Sequence, residues 1–182
     1  MKTLWLKLLL IKRLVIITII LIFVSVKANA QTGDSLGCQN LIKRIEDKVM
    51  GTSFMACKIP LVVSKDGING FKILSNTGNT GERTLIIIAV GAGYCIDQGQ
   101  KANILFRDGT RLELHSDSKF NCEGEFVIYF GGVFGKSEEY DLLSSKEIET
   151  LRVWTSKGFV EQDFTPDNSK RLMKTLDCLK GF

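Results

Sequence analysis

A succession of short β-type segments is the feature that most constrains how this chain can fold. The segments are rich in β-branched and aromatic residues, and turn-forming residues separate them at short intervals. They cover the ranges Ser53–Val63, Phe71–Ser75, Thr84–Val90, Ala102–Phe106, Arg111–His115, Glu125–Phe130, Tyr140–Leu143, Leu151–Thr155 and Phe159–Phe164. Regular spacing of this kind is typical of antiparallel sheets. We therefore predict a mainly β fold, either an antiparallel β-sandwich or a strongly curved sheet.

Two tight turns can be assigned from the residues between neighbouring segments. Asp108 and Gly109 separate the segments that end at Phe106 and begin at Arg111, and this dipeptide supplies the positive φ angles of a tight hairpin. Ser156-Lys157-Gly158 forms the second turn, with a glycine available for a left-handed position. Both patterns predict β-hairpins.

A helix is expected at each end of the β-rich region. From Cys38 to Met50, apolar residues recur at helical spacing while charged residues occupy the opposite face. The C-terminal helix has a clearer start, with Thr165 as N-cap and Pro166 at the first helical position, and Gly181 ends it. Ser144–Glu147 has the spacing of a capping box and predicts one short helical turn. The fold class is therefore α+β, with one N-terminal and one C-terminal α-helix.

Residues 1–30 have the organisation of a secretory signal peptide. Lys12 and Arg13 precede the apolar run Leu14–Val26, and Ala28-Asn29-Ala30 forms a small-residue end. An uncleaved anchor is the alternative, but the run is shorter than the roughly 20 residues that a membrane-spanning helix needs. We predict removal of residues 1–30, leaving residues 31–182 as a single exported β-rich domain, periplasmic or secreted, with no stable membrane span.

The basic character of the chain belongs to this leader. Residues 1–30 hold five of the 24 Lys and Arg residues and no acidic residue, which leaves 19 basic against 20 acidic side chains. Nucleic-acid binding requires clustered positive charge. In residues 31–182 the basic and acidic residues are interspersed, so this class of partner is excluded.

All five cysteines lie after residue 30, and an oxidising compartment favours pairing them. Because five is an odd number, at least one stays free or pairs between chains. Cys57 is the candidate for the free thiol, since it lies in an apolar run where a thiol acts as a small buried hydrophobe. The other four, Cys38, Cys95, Cys122 and Cys178, are candidates for disulfides. A bridge between Cys122 and Cys178 is preferred, although several pairings stay open.

Few residues qualify for catalysis. His115 is the single histidine, so every mechanism or metal site that requires two is excluded. A thiol nucleophile, Cys122 or Cys95, paired with His115 is the remaining catalytic arrangement, but a bridged cysteine cannot attack. The glycines near residues 91 and 131 do not have the spacing of nucleotide-binding loops. No recognised metal-ligand spacing is present, and we expect neither a metal nor a cofactor.

One segment, Phe126–Phe134, is suited to binding. It concentrates aromatic residues around the flexible glycines Gly131 and Gly132. If Tyr129 and Phe134 reach the surface, they supply interface anchors or rings that stack on sugars. Tyr140 is a third candidate of this kind. The alternative is that the aromatic residues of this strand fill the core.

The layout as a whole resembles a group of small exported proteins of Bacteroidota. The resemblance rests on the early cysteine in a helix, the turn Asp108-Gly109-Thr110, the phrase IETLRVWT at Ile148–Thr155, and the final Leu176-Asp177-Cys178-Leu179. It implies an envelope or secreted location. It brings no activity, so no catalytic residues are carried over from it.

The sequence thus favours a non-catalytic, exported interaction module that binds a protein or a glycan of the envelope or extracellular space. A thiol-dependent hydrolase using Cys122 or Cys95 with His115 is the first alternative. A secreted inhibitor or immunity-type protein is the second, although no reactive loop can be identified.

Overall fold

Ten β-strands and three α-helices make up the part of the chain that the computed structural model describes, residues 37–64, 66–91 and 93–182. The strands are β1 (Ile42–Asp47), β2 (Thr52–Cys57), β3 (Leu61–Ser64), β4 (Gly70–Thr77), β5 (Arg83–Val90), β6 (Lys101–Phe106), β7 (Arg111–His115), β8 (Glu125–Phe130), β9 (Ile148–Thr155) and β10 (Gly158–Asp163). The helices are α1 (Cys38–Leu41), α2 (Ser137–Ser145) and α3 (Pro166–Lys180), and a short 3₁₀ turn covers Gly132–Phe134.

The strands form two antiparallel sheets. The first sheet has the order β1-β2-β4-β5-β8, and β3 pairs with β4 beside it. The second sheet has the order β10-β9-β6-β7. Its two hairpins, β6–β7 and β9–β10, close through the turns predicted from Asp108-Gly109 and Ser156-Lys157-Gly158. The predicted fold class, mainly β with an N-terminal and a C-terminal helix, is confirmed.

Both sheets contribute to one hydrophobic core. Alternate residues of each strand are buried, as in β8, where Phe126, Ile128 and Phe130 are inaccessible while Val127 and Tyr129 are partly exposed. Residues from the second sheet, from α2 and from α3 join the same cluster. Each sheet therefore has an inner face in this core and an outer face that carries the intervening residues.

The predicted helix over Cys38–Met50 is wrong beyond its first turn. Only Cys38–Leu41 is helical, and the following residues form strand β1, which pairs with β2 along its full length. The reversal between the strands is stabilised locally, because the Asp47 carboxylate accepts the N–H groups of Val49 and Met50. The helical spacing predicts Val49 as a buried residue, but its side chain is 93% exposed.

Two other segments differ from expectation. Tyr140–Leu143 is not a strand but lies inside helix α2, whose first turn contains Glu138 and Glu139 near the positive end of the helix dipole. The helical turn expected at Ser144–Glu147 is also misplaced, because α2 ends at Ser145. The closing helix is confirmed, and the Thr165 hydroxyl accepts the N–H of Asn168 at 3.2 Å as an N-cap.

The disulfides join Cys38 to Cys178 and Cys95 to Cys122, and Cys57 is the free cysteine. The preferred pairing of Cys122 with Cys178 is therefore wrong. Helix α1 packs on the end of α3, and this contact brings Cys38 to Cys178. Cys95 and Cys122 lie in two loops that are held together by the β-bridge between their neighbours Ile96 and Asn121.

Two disulfides favour an oxidising compartment. The predicted signal peptide, residues 1–30, lies outside the described residues. Within the described ranges, no helix has both the length and the apolar character required to cross a lipid bilayer.

We predict that removing the Cys38–Cys178 bridge destabilises the protein more than removing the other one. It joins residues 140 positions apart, against 27 for Cys95 and Cys122, and a longer closed loop restricts the unfolded chain more. The double variant Cys38→Ala/Cys178→Ala is expected to lower the free energy of unfolding by about 3–5 kcal/mol, and Cys95→Ala/Cys122→Ala by about 1.5 kcal/mol less. Denaturant titration measures both values, and equal losses would contradict the ranking.

The turn between β6 and β7 is stabilised by the Asp108 carboxylate. The Asp108 carboxylate accepts a hydrogen bond from Lys146 at 2.7 Å and another from the backbone of Thr110, and these lower the pKa of Asp108 to about 2. Because the folded-state pKa lies below the ordinary value of 3.8, the charged carboxylate stabilises the fold above about pH 4. This contribution is lost as the pH falls toward 2.

The variant Asp108→Asn should therefore melt at a lower temperature than the wild type at pH 7, and the difference should shrink as the pH falls from about 4 through about 2. Thermal melting across this range measures it. Lys146→Met provides the matched control, since the double variant should melt close to either single variant if the two side chains act through each other. A difference that keeps its pH 7 size down to pH 2 would contradict the assignment.

Candidate functional site

A row of side chains crosses the outer face of the first sheet. Tyr129 of β8 is paired with Thr84 of β5, and Thr84 is paired with Asn76 of β4. Since directly opposite residues of antiparallel strands point to the same face, the three side chains lie side by side. Their sequence neighbours point inward, and this alternation brings Tyr129, Thr84 and Asn76 to the surface together.

Phe134 joins this row from the loop that follows β8. Its ring packs on that of Tyr129, with the ring centroids 5.1 Å apart and an angle of 32° between the planes. The loop is closed by a hydrogen bond from the Gly131 N–H to the Gly135 carbonyl at 2.7 Å. Gly131 has φ +81°, and a Cβ there would approach the Gly81 carbonyl oxygen to 3.2 Å. The glycine thus allows the loop to fold back over the sheet.

An ion pair fixes the far end of the same loop. Lys136 donates from Nζ to Oδ2 of Asp117 at 2.6 Å, and the same oxygen accepts the backbone N–H of Tyr129 at 3.0 Å. Lys136 has φ +57°, the left-handed region that is uncommon for a residue with a side chain. One carboxylate oxygen therefore joins strand β8 to the loop that positions Phe134.

The row Tyr129, Thr84 and Asn76 and the ring of Phe134 line a groove of about 520 Å³, here called the Tyr129 groove. Its lining consists of Thr52, Ser53, Phe54, Asn76, Gly78, Asn79, Thr80, Glu82, Thr84, Tyr129 and Phe134. Three aromatic rings, neutral hydroxyl and amide groups, and a single carboxylate make up this surface. No side-chain hydrogen bond within the described ranges engages Asn76, Thr80 or Thr84, so their polar groups are open to a ligand.

Tyr140, the third aromatic residue expected to bind, is not part of this surface. It is buried in the core, where its hydroxyl donates to the Leu176 carbonyl at 2.8 Å and its ring meets that of Phe130 edge-on. Burial raises the pKa of Tyr140 above its ordinary value. The expectation that Tyr140 contacts a ligand is therefore wrong, because its place in helix α2 turns it inward.

The cysteines considered for catalysis carry no thiol in this structure. Cys95 and Cys122 are bonded to each other, so neither is available as a nucleophile. His115 is exposed on β7, with Nδ1 3.2 Å from the Gly99 carbonyl oxygen and Nε2 3.3 Å from the Glu113 carboxylate. The part of the chain that the structure describes holds no cluster of three or more His, Cys, Asp or Glu that could bind a metal.

Tyr129 and Phe134 are the two candidate binding residues that the structure brings together, whereas the sequence did not indicate the polar residues beside them. The available signal was alternation, since Asn76 and Thr84 lie between residues that read as buried. Alternation does not specify which strands are neighbours or in which register they pair.

Comparison with protein-family models, with curated proteins and with solved structures gives no match. The resemblance to exported proteins of Bacteroidota therefore stays a prediction.

We predict that Asp117→Asn loosens the loop that carries Phe134. The amide still accepts from Tyr129 but loses its charge, so the pair with Lys136 is lost, and about 1–2 kcal/mol of stability with it. Hydrogen exchange should accelerate at the Tyr129 amide and across residues 131–136. Glu149→Gln, which neutralises an exposed carboxylate on β9, is the matched control and should leave this exchange unchanged. Equal exchange in both variants would contradict the role of Asp117.

Proposed function

We propose that this protein is an exported, non-catalytic binding module and that its Tyr129 groove binds neutral carbohydrate. The observation that carries the proposal is the pairing of Tyr129 with Phe134 beside open amide and hydroxyl groups. Export itself rests on the signal-peptide pattern of residues 1–30, and the two disulfides are compatible with it.

The aromatic rings supply the apolar half of such a site. A sugar ring presents C–H groups on its faces and hydroxyl groups around its edge. Phe134 is 43% exposed and Tyr129 is partly exposed beside it, so the pair offers a platform that contributes by burial and by dispersion. Because the Asp117–Lys136 pair fixes the loop, little order has to be gained on binding.

The polar groups supply the other half. Asn76 offers two donors and an acceptor, and the hydroxyls of Thr80 and Thr84 donate or accept. Glu82 is the one carboxylate in the lining, and no Lys or Arg is present in it. A ligand rich in hydroxyl groups and without charge fits this composition better than an anion does.

The groove also favours binding over hydrolysis. Glycosidases of the usual kind need two carboxyl groups on either side of the bond that is cleaved. The lining of the Tyr129 groove provides only Glu82, and the thiol-based alternative requires cysteines that are bridged to each other. We therefore assign no catalytic residue.

A protein partner is the second candidate function, and one observation favours it. Val133, next to Phe134 at the tip of the loop, is 91% exposed, and exposed apolar residues at a loop tip are typical of protein contacts. The secreted inhibitor or immunity-type protein belongs to this class and stays a hypothesis without an identified reactive loop.

The test is affinity electrophoresis in gels that contain β-1,3-glucan, xylan, mannan or amylose. We expect at least one of these neutral polysaccharides to retard the wild type. Phe134→Ala should weaken binding at the Tyr129 groove about tenfold, since losing one stacking ring removes about 1.4 kcal/mol, and the retardation should fall accordingly. Phe120→Ala, another exposed aromatic outside the groove, is the matched control and should bind normally.

Two outcomes would contradict this function. If none of the four polysaccharides retards the wild type, the groove does not serve neutral glycans, and a protein partner becomes the leading candidate. If a polysaccharide retards Phe134→Ala as strongly as the wild type, carbohydrate binding lies elsewhere on the molecule.

A further inference from the structure

The outer face of the second sheet carries another groove, of about 670 Å³. Its lining crosses all four strands and includes polar side chains at successive paired positions. One row runs from Glu161 of β10 through Arg152 of β9 and Asn103 of β6 to Glu113 of β7. We call this row, together with Trp154 and Phe159 beside it, the Trp154 face.

The polar groups of the row are held in position by one another. Arg152 donates from Nε to the Glu161 carboxylate at 2.6 Å. Asn103 donates to Glu113 at 3.1 Å, and Lys101 donates to the other oxygen of the same carboxylate at 2.9 Å. These planar guanidinium, amide and carboxylate groups each have more hydrogen-bonding positions than these contacts use. Planar groups with two adjacent polar atoms suit neighbouring hydroxyls on one sugar.

An aromatic pair adjoins the row at one end. The Trp154 indole N–H donates to the Asn103 side chain at 2.9 Å, which fixes the orientation of the indole ring. The Trp154 ring meets the Phe159 ring edge-on at 5.4 Å, and the two side chains are 38% and 50% exposed. Arg152 lies 4.4 Å from the centre of the Phe159 ring. The exposed part of the indole is therefore an ordered apolar surface next to ordered polar groups.

The charges of this face balance. Arg111 and Arg152 line the groove with Glu113, Glu161 and Asp163, and Lys101 pairs with Glu113 at its edge. Equal numbers of cationic and anionic groups favour an uncharged occupant over an acidic or basic one. Adjacent strands lie roughly 4.8 Å apart, a distance close to the length of one sugar unit, so successive units can meet successive strands.

We infer that the Trp154 face is a second binding site for neutral carbohydrate and that one molecule cross-links two glycan chains. The cross-linking rests on the function proposed for the Tyr129 groove, whereas the second site stands on its own contacts. The two grooves lie on the outer faces of two sheets that share one core, so they face away from each other. A single short oligosaccharide therefore fills one site, while long chains bind two or more molecules.

The binding test is titration of the full chain with the hexasaccharides of β-1,3-glucan, xylan, mannan and amylose, followed by NMR. The probe is the indole N–H signal of Trp154, assigned by its loss in Trp154→Phe. With at least one hexasaccharide, this signal should shift in the wild type and equally in Phe134→Ala. In the Phe134→Ala background, Trp154→Ala should lower the remaining affinity at least about tenfold.

The cross-linking test is the turbidity of the matching polysaccharide mixed with protein. At a protein concentration that fills both sites of the wild type only partly, we expect the wild type to raise the turbidity and both Phe134→Ala and Trp154→Ala to reduce the increase strongly, because each variant has one site weakened about tenfold. Phe120→Ala should behave like the wild type. Turbidity that rises as much with Phe134→Ala or Trp154→Ala as with the wild type would overturn cross-linking by this pair of grooves.

The outcomes separate the two proposals. If binding depends on Phe134 while the Trp154 signal does not move with any hexasaccharide, the second site is overturned and the first function stands. If the Trp154 signal moves and Phe134→Ala binds carbohydrate as strongly as the wild type, the Trp154 face is the carbohydrate site and the Tyr129 groove is not. A shift with a galacturonate hexamer alone would overturn the argument from charge balance.

Discussion

The burial of alternate residues from two sheets in one core is the constraint on which the rest of this structure depends. Phe71, Phe126 and Phe130 of the first sheet and Phe106 of the second are fully buried in the same cluster. Because side chains alternate along a strand, this burial dictates which residues face outward. A register slip of one residue in β8 would place Tyr129 in the core and expose three apolar side chains. The packing of the core therefore determines which side chains each sheet presents on its outer face.

The two outer faces differ in how they are ordered. On the first sheet, the aromatic platform comes partly from a loop, and its position depends on an ion pair and on glycines with unusual backbone angles. On the second sheet, every contributing residue lies in a strand, and cross-strand contacts hold the polar row in place. Both surfaces are organised without a ligand. In binding terms, each avoids much of the entropy loss that flexible surfaces incur.

The parts of the fold that were predicted correctly are those with strong local signals. The Asp108-Gly109 hairpin and the Thr165-Pro166 helix start were identified because turn and cap chemistry acts over a few residues. The helix predicted from Cys38 failed because its apolar spacing was overridden by pairing between β1 and β2, an interaction between strands. The disulfide pairing and the residues beside Tyr129 could not be predicted from the sequence for the same reason. They depend on which strands become neighbours, and register is a tertiary property.

The Cys38–Cys178 bridge turns the chain between these residues into a covalent ring, and the Cys95–Cys122 bridge divides that ring into two loops. A cut in any surface connection between residues 38 and 178 opens a loop but releases no fragment, since both new ends stay attached through sulfur. After one cleavage by a protease, the parts of such a ring therefore remain covalently joined. A fragment is released only when a second cut falls in the same loop.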